Sequence, residues 1–260
     1  DSDHEDQEEI MQQAWDDLTG AELDGQAVRQ ARLKEIGYAK AKNVWSKMTR
    51  KEAKAKGWKI LKTRWIDINK GDEENVDIRC RFVAKEINKG HEEGLFAATP
   101  PLEALRALVR RAATVGEMAM GEQVIMINDV ARAFFEAPIT RMVCIELPKE
   151  DMTEEDIRED RVGILNMSLY GTRDAAANFQ REVETFMKAA GFTQGKYNPC
   201  TYWHKGRKLR TLVHGDDFVT TGDRENVRWL KQRMEERFEI ETKVIGNQAG
   251  EAKEERILNR

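Results

Sequence analysis

The sequence has no apolar run long enough to cross a bilayer, and its first ten residues, DSDHEDQEEI, are acidic where a secretory signal would be basic and then apolar. A membrane-spanning or exported protein is not expected. Soluble and intracellular is the reading that remains. Cysteine is scarce: Cys80, Cys144 and Cys200 stand far apart and form no C-x-x-C pair, which speaks against a zinc site or a disulfide framework. Three reduced, mostly buried thiols are expected. No repeat and no low-complexity tract interrupts the chain.

What is present is an ordinary core and an uneven charge. The length of 260 residues fits one large or two small domains, and 40% hydrophobic content suffices for their cores. The net charge of -4 hides an asymmetry, because residues 1–24 hold ten Asp or Glu and no Lys or Arg. The remainder is basic, and the excess is concentrated from Gly25 to Ile66, where thirteen Lys or Arg face only Glu35 and Glu52. Trp45, Trp58 and Trp65 are interleaved with that run. Two readings follow: a phosphate-tracking surface with stacking rings, or a solvated helix face.

Periodicity divides the chain further. Residues 1–24 read as an acidic lead, partly disordered, and 25–57 as a basic helical segment with Gly37 as a stop. WKILKTRWIDINKGDEENVDIRCRFVAKEI, residues 58–87, alternates as a hairpin turning at Asn69–Asp72. Thr99 and Pro100 open a buried helix predicted from about Pro101 to Val115. VIMINDVARAFFEAP, residues 124–138, reads as a buried strand with Asp129 near its end and a helical turn after it. Strand MVCIELP, a polar excursion over 151–161, helix 178–192 and a last amphipathic helix over 224–240 complete the pass.

The stretch LVHGDDFVTTG, residues 212–222, sets two aspartates side by side in a tight turn between strands. Like charges repel there, so the pair is either solvated turn filler or faces something positive. If this hairpin lies beside the Asp129 strand, Asp129, Asp216 and Asp217 gather at one end of a small antiparallel sheet backed by helices. Oxygen ligands so grouped suit Mg²⁺, and two such ions can clamp the attacking and leaving oxygens of a phosphoryl displacement.

Six blocks, CRFVAKEI, LFAATPPLEALRAL, INDVARAFFEAPI, MSLYGTRDAAANF, GFTQGKYNPCTYW and LVHGDDFVTTG, resemble in order and spacing the reverse transcriptase of copia-type LTR retrotransposons. The resemblance covers about residues 55–245. It implies an α+β, right-hand polymerase fold with fingers and palm over 58–245, and a truncated thumb or tail over 246–260. Asp129, Asp216 and Asp217 match the catalytic aspartates, and the Val130 backbone carbonyl would add a metal ligand. Two Mg²⁺, or Mn²⁺ in their place, are the implied cofactors. Phe134 matches the aromatic that excludes a 2′-hydroxyl, with plain core packing as its alternative. Tyr170 and Gly171 match the nucleotide and template pocket. Arg81 and Lys85 match basic fingers positions that meet the triphosphate, although either face of the strand is open to Lys85.

RNA-directed DNA polymerisation is thereby implied, with a primed RNA or DNA template and deoxynucleoside triphosphates as substrates. Membrane partners are not. Protease, integrase and RNase H domains are implied as neighbours in a Pol polyprotein, with the cytoplasm, a virus-like particle or the nucleus as its location. Three departures from the family pattern stand out. His214 and Gly215 replace Tyr-Val, Asp174, Ala176 and Ala177 replace Gln, Pro and Arg, and Glu86 replaces Gly. A catalytically impaired nucleic-acid-binding remnant is therefore the alternative function, and a metal-dependent nuclease a third.

Overall fold

A computed structural model describes residues 14–72, 74–86, 97–115 and 123–255. In chain order these form β1 (Ala14–Trp15), β2 (Glu22–Leu23), α1 (Gly25–Ala41), β3 (Trp45–Thr49), α2 (Arg50–Ala55), β4 (Lys59–Leu61), β5 (Thr63–Asn69), β6 (Ile78–Ala84) and α3 (Leu102–Val115). Then come β7 (Gln123–Val130), a 3₁₀ turn (Ala133–Glu136), β8 (Val143–Ile145), a 3₁₀ turn (Lys149–Asp151), α4 (Glu154–Arg158), β9 (Arg161–Leu165) and α5 (Ala175–Ala189). The series ends with β10 (Thr193–Gln194), β11 (Thr201–His204), β12 (Leu209–His214), β13 (Asp217–Asp223), α6 (Arg224–Glu235) and β14 (Ile240–Ile245). The class is mixed α+β with several sheets. Among the described residues no helix is long and apolar enough to cross a membrane.

Two compact units result: Asp1–Glu93 with Ala137–Asn178, and Gly94–Glu136 with Phe179–Arg260. The first contains a four-stranded sheet in the order β3-β9-β8-β4 and the β5–β6 hairpin. The expected all-helical reading of 25–57 is corrected here. Helix α1, capped by the Asp24 carboxylate on the Ala27 N–H, runs through Gly37 to Ala41, and WSKMT then pairs with β9 as a strand. Long-range bonds decide this. Trp45 donates its indole N–H to Asp151 at 2.9 Å, and Lys47 reaches Asp156 at 2.7 Å.

The tryptophans are not a stacking surface either. Trp45 is buried and, with Trp65, packs its ring on Phe82, while Trp58 packs on the Ala53, Cys144 and Val162 cluster. Much of the basic run is also neutralised. Arg32 binds Asp67 and Glu150, Lys40 binds Asp151, Arg50 binds Glu146 and Asp160, and Arg64 binds Asp17. Lys51, Lys54 and Lys62 stay exposed. The acidic lead is partly structural: Asp16 accepts from the Asn69 N–H at 2.7 Å and Asp17 from the Asp67 N–H at 2.9 Å, tying β1–β2 to β5. Residues 1–13 lie outside the described residues.

The second unit is built on a six-stranded antiparallel sheet, β10-β11-β12-β13-β7-β14. Alternation along β7 buries Val124, Met126 and Val130, and α3 lays Leu105 and Leu108 on Leu212 and Val219. Helix α6 starts at an Asp223 cap and stops at Glu235, five residues before the predicted end. Beyond it, IETKVI is a strand that pairs with β7 on the side away from β13. All three cysteines are free and buried, as expected.

Candidate active site

In the second unit, β12 and β13 are joined by the two-residue turn Gly215–Asp216, with His214 opposite Asp217. Gly215 has φ +62°, a conformation that costs glycine little and a β-branched residue much. This explains why glycine suits the place where the family pattern carries valine. Strand β13 pairs with β7 so that Asp217 lies directly opposite Asp129, and the Val130 N–H donates to the Asp216 carbonyl at 3.1 Å. All three aspartates therefore meet at one rim of the sheet.

The register adds a carboxylate that the sequence reading missed. Glu241 of β14 is directly opposite Asp129, so Asp217, Asp129 and Glu241 form a row across three neighbouring strands on one face. The signal was the alternating pattern of IETKVI. Asp129, Asp216 and Glu241 are exposed and Asp217 is half-buried. Burial first, then the charges of Asp216 and Asp129, push the Asp217 carboxyl up to about 6, against a smaller downward pull from His214.

Such a rim holds more negative charge than it comfortably accommodates. Yet among the described residues no group of three or more His, Cys, Asp or Glu is arranged to hold a metal ion. Mg²⁺ commonly takes one or two carboxylates and completes its shell with water and substrate phosphates. The donor chemistry fits that ion although no all-protein cage is present.

After Val130 the chain turns through Arg132, at φ +49°, into the 3₁₀ turn Ala133–Glu136. Phe135 is sealed at 1% exposure, whereas Phe134 beside it is only half-buried. Of the two rings, Phe134 is the less buried.

In the first unit, the four remaining candidates lie together at the end of β6. The Arg81 guanidinium stands 5.1 Å from the centroid of the Tyr170 ring, and the Tyr170 carbonyl accepts from the Ala84 N–H at 2.7 Å. Gly171 has φ +79°, and a Cβ there would lie 2.0 Å from the Ala84 carbonyl oxygen, so only glycine fits. Lys85 follows with an exposed side chain.

Two of the departures, Glu86 and Asp174, turn out to be linked through Arg141. Glu86, its side chain 1% exposed, accepts from Arg141 at 3.0 Å, from Lys59 at 3.1 Å and from the Arg173 N–H at 3.1 Å. Arg141 also reaches Asp174 at 2.9 Å, and Asn178 donates to the other Asp174 oxygen at 3.1 Å. Burial would raise the Glu86 carboxyl. Hydrogen bonds from Arg141, the Arg173 N–H and Lys59 outweigh it and hold the group at about 2.

Comparison with known proteins gives the family. The family described as reverse transcriptase (RNA-dependent DNA polymerase) matches residues 43–247. A retrovirus-related Pol polyprotein from transposon TNT 1-94 of Nicotiana tabacum is 26% identical over 194 residues, a stretch that covers 71% of this chain and 14% of that polyprotein. With that family matched over most of its length, the chain belongs to the reverse transcriptases.

Proposed function

We propose that this chain copies a primed template into DNA, transferring nucleotides onto a primer 3′-hydroxyl. The observation that carries the reading is the direct pairing of Asp217 with Asp129 beside the turn that holds Asp216. The six-stranded sheet is read as the palm and the β5–β6 hairpin as part of the fingers. Asp129 and Asp216, with the Val130 carbonyl, would hold two Mg²⁺ or Mn²⁺ ions, and Asp217 would support them. When bound, such ions lower the pKa of the primer hydroxyl and stabilise charge on the departing pyrophosphate.

The chain's own residues do the rest. Arg81 and Lys85 supply positive charge for the triphosphate, and Tyr170 holds the Arg81 guanidinium by a face-on contact. Gly171 lets the backbone carrying Tyr170 approach β6. Base selection is left to template pairing, so the protein needs only phosphate and stacking contacts. A template with its primer and the other Pol domains are the proposed partners. Primer extension on RNA and DNA templates with Mg²⁺ or Mn²⁺ tests the activity; binding without extension would favour the impaired remnant, and strand cleavage would favour the nuclease.

Phe134 is proposed to set sugar selectivity by lying against the deoxyribose. Phe134→Ala should raise ribonucleotide incorporation relative to deoxyribonucleotide incorporation by about tenfold or more, a difference of about 1.4 kcal/mol in transition-state binding. If Phe134 only packs, the variant loses stability, about 3 kcal/mol for a large buried ring, and the sugar ratio stays unchanged. Thermal unfolding and both incorporation rates on one variant separate the two.

A further inference from the structure

In the second unit a cavity of about 430 Å³ lies between α3 and strands β10–β12. Helix α3 contributes Ala104, Leu108 and Arg111, and the sheet contributes Trp203 and Arg210. Trp203 is directly opposite Arg210, and Arg210 directly opposite Thr221, so all three share one face. That face also bears Leu212 and Val219, on which α3 rests, and at its far end Asp217 and Asp129. Arg210 is four residues along β12 from His214, the partner of Asp217, which puts the cavity about 14 Å from the carboxylate rim.

The charges in the cavity are unbalanced. Among the described residues neither Arg111 nor Arg210 enters an ion pair, and burial together with the Arg111 charge lowers the pKa of the Arg210 guanidinium. Arg210 stands 5.4 Å from the centroid of the Trp203 ring, and Trp203 is 42% exposed. Small residues such as Ala104 and Ala107 keep the space open. Two converging cations call for an anion, and an exposed indole beside them calls for a flat ring. A nucleotide in a single strand offers both at once.

We propose that this cavity is a second nucleic-acid contact, gripping an unpaired strand through a phosphate between Arg111 and Arg210 and a base against Trp203. The proposal rests on the nucleic-acid reading above but not on polymerisation, and it is tested without metal. Anisotropy of a labelled single-stranded oligonucleotide is followed in EDTA across a salt series for the intact chain, Arg111→Gln/Arg210→Gln and Trp203→Ala. Losing the one phosphate contact should flatten the slope of log K against log salt by about 0.7, the value for one phosphate of a single strand. Trp203→Ala should weaken binding by about fivefold to a hundredfold and leave the slope in place. Arg111→Lys/Arg210→Lys, which keeps both charges, should restore most of the slope.

Unchanged slope and affinity in the double glutamine variant would overturn the proposal, as would inorganic pyrophosphate displacing the strand at equal phosphate concentration, which would mark a small-anion site. Arg111→Gln alone, on the exposed side of a helix, gives part of the slope change if the double variant fails to fold. Primer extension by the intact chain reports separately on the polymerase reading, so either idea can fail while the other stands.

Discussion

Asp129→Asn is expected to slow primer extension by about a thousandfold or more while the protein stays folded. The substitution keeps the shape of an exposed side chain and removes one charge from the row Asp217, Asp129 and Glu241. Metal-assisted charge stabilisation is worth several kcal/mol, and each 1.36 kcal/mol is a factor of ten, so about 4 kcal/mol gives the thousandfold. Stability should move the other way. Like charges directly opposite on neighbouring strands cost about 0.2–1 kcal/mol, and removing the central one should raise the melting temperature slightly in the metal-free protein. Extension rates on an RNA template and a thermal melt in EDTA check both halves. An active variant within tenfold of the parent would take Asp129 out of the site, and a variant that melts far below the parent would show that its carboxylate serves the fold instead.

The hairpin at 212–222 was legible because its signals are local: two alternating apolar runs, a glycine and a two-residue turn. Strand β7 and helix α3 were legible for the same reason, through a short continuous apolar run and a period near four that a short window contains. What escaped depends on partners far along the chain. WSKMT looks like a continuation of a lysine-rich helix until Trp45 and Lys47 find Asp151 and Asp156, more than a hundred residues away. Likewise RFEI reads on paper as the end of an amphipathic helix, yet the helix stops at Glu235 and β7 takes IETKVI as a strand, which brings Glu241 to Asp129. The tryptophans read as stacking rings because sequence shows their basic neighbours and not Phe82, on which two of them pack. At the candidate site the aspartates were legible as a group, but the register of the row was not.

The linkage of Glu86 to Asp174 through Arg141 belongs with the illegible part, since each departure alone reads as a defect. Removing one member tests whether the two are a matched pair. Glu86→Gln should cost about 3 kcal/mol at pH 7, the range for breaking a buried pair, because Arg141 keeps only Asp174 and the Lys59 and Arg173 donors lose a carboxylate. The cost should also depend on pH in a definite direction. Glu86 is held at about 2 in the folded chain, below its ordinary value of 4.5, so its ionised form stabilises the fold above about pH 4.5. That contribution is lost as pH falls from about 4.5 toward 2. At about 1.4 kcal/mol per unit the full shift is about 3 kcal/mol, and solvent screening reduces it to about 1–2 kcal/mol. The gap between parent and Glu86→Gln in urea unfolding should therefore narrow between pH 7 and pH 3.5. An equal gap at both values would assign the loss to packing, and no gap at pH 7 would mean that Arg141 is satisfied without Glu86.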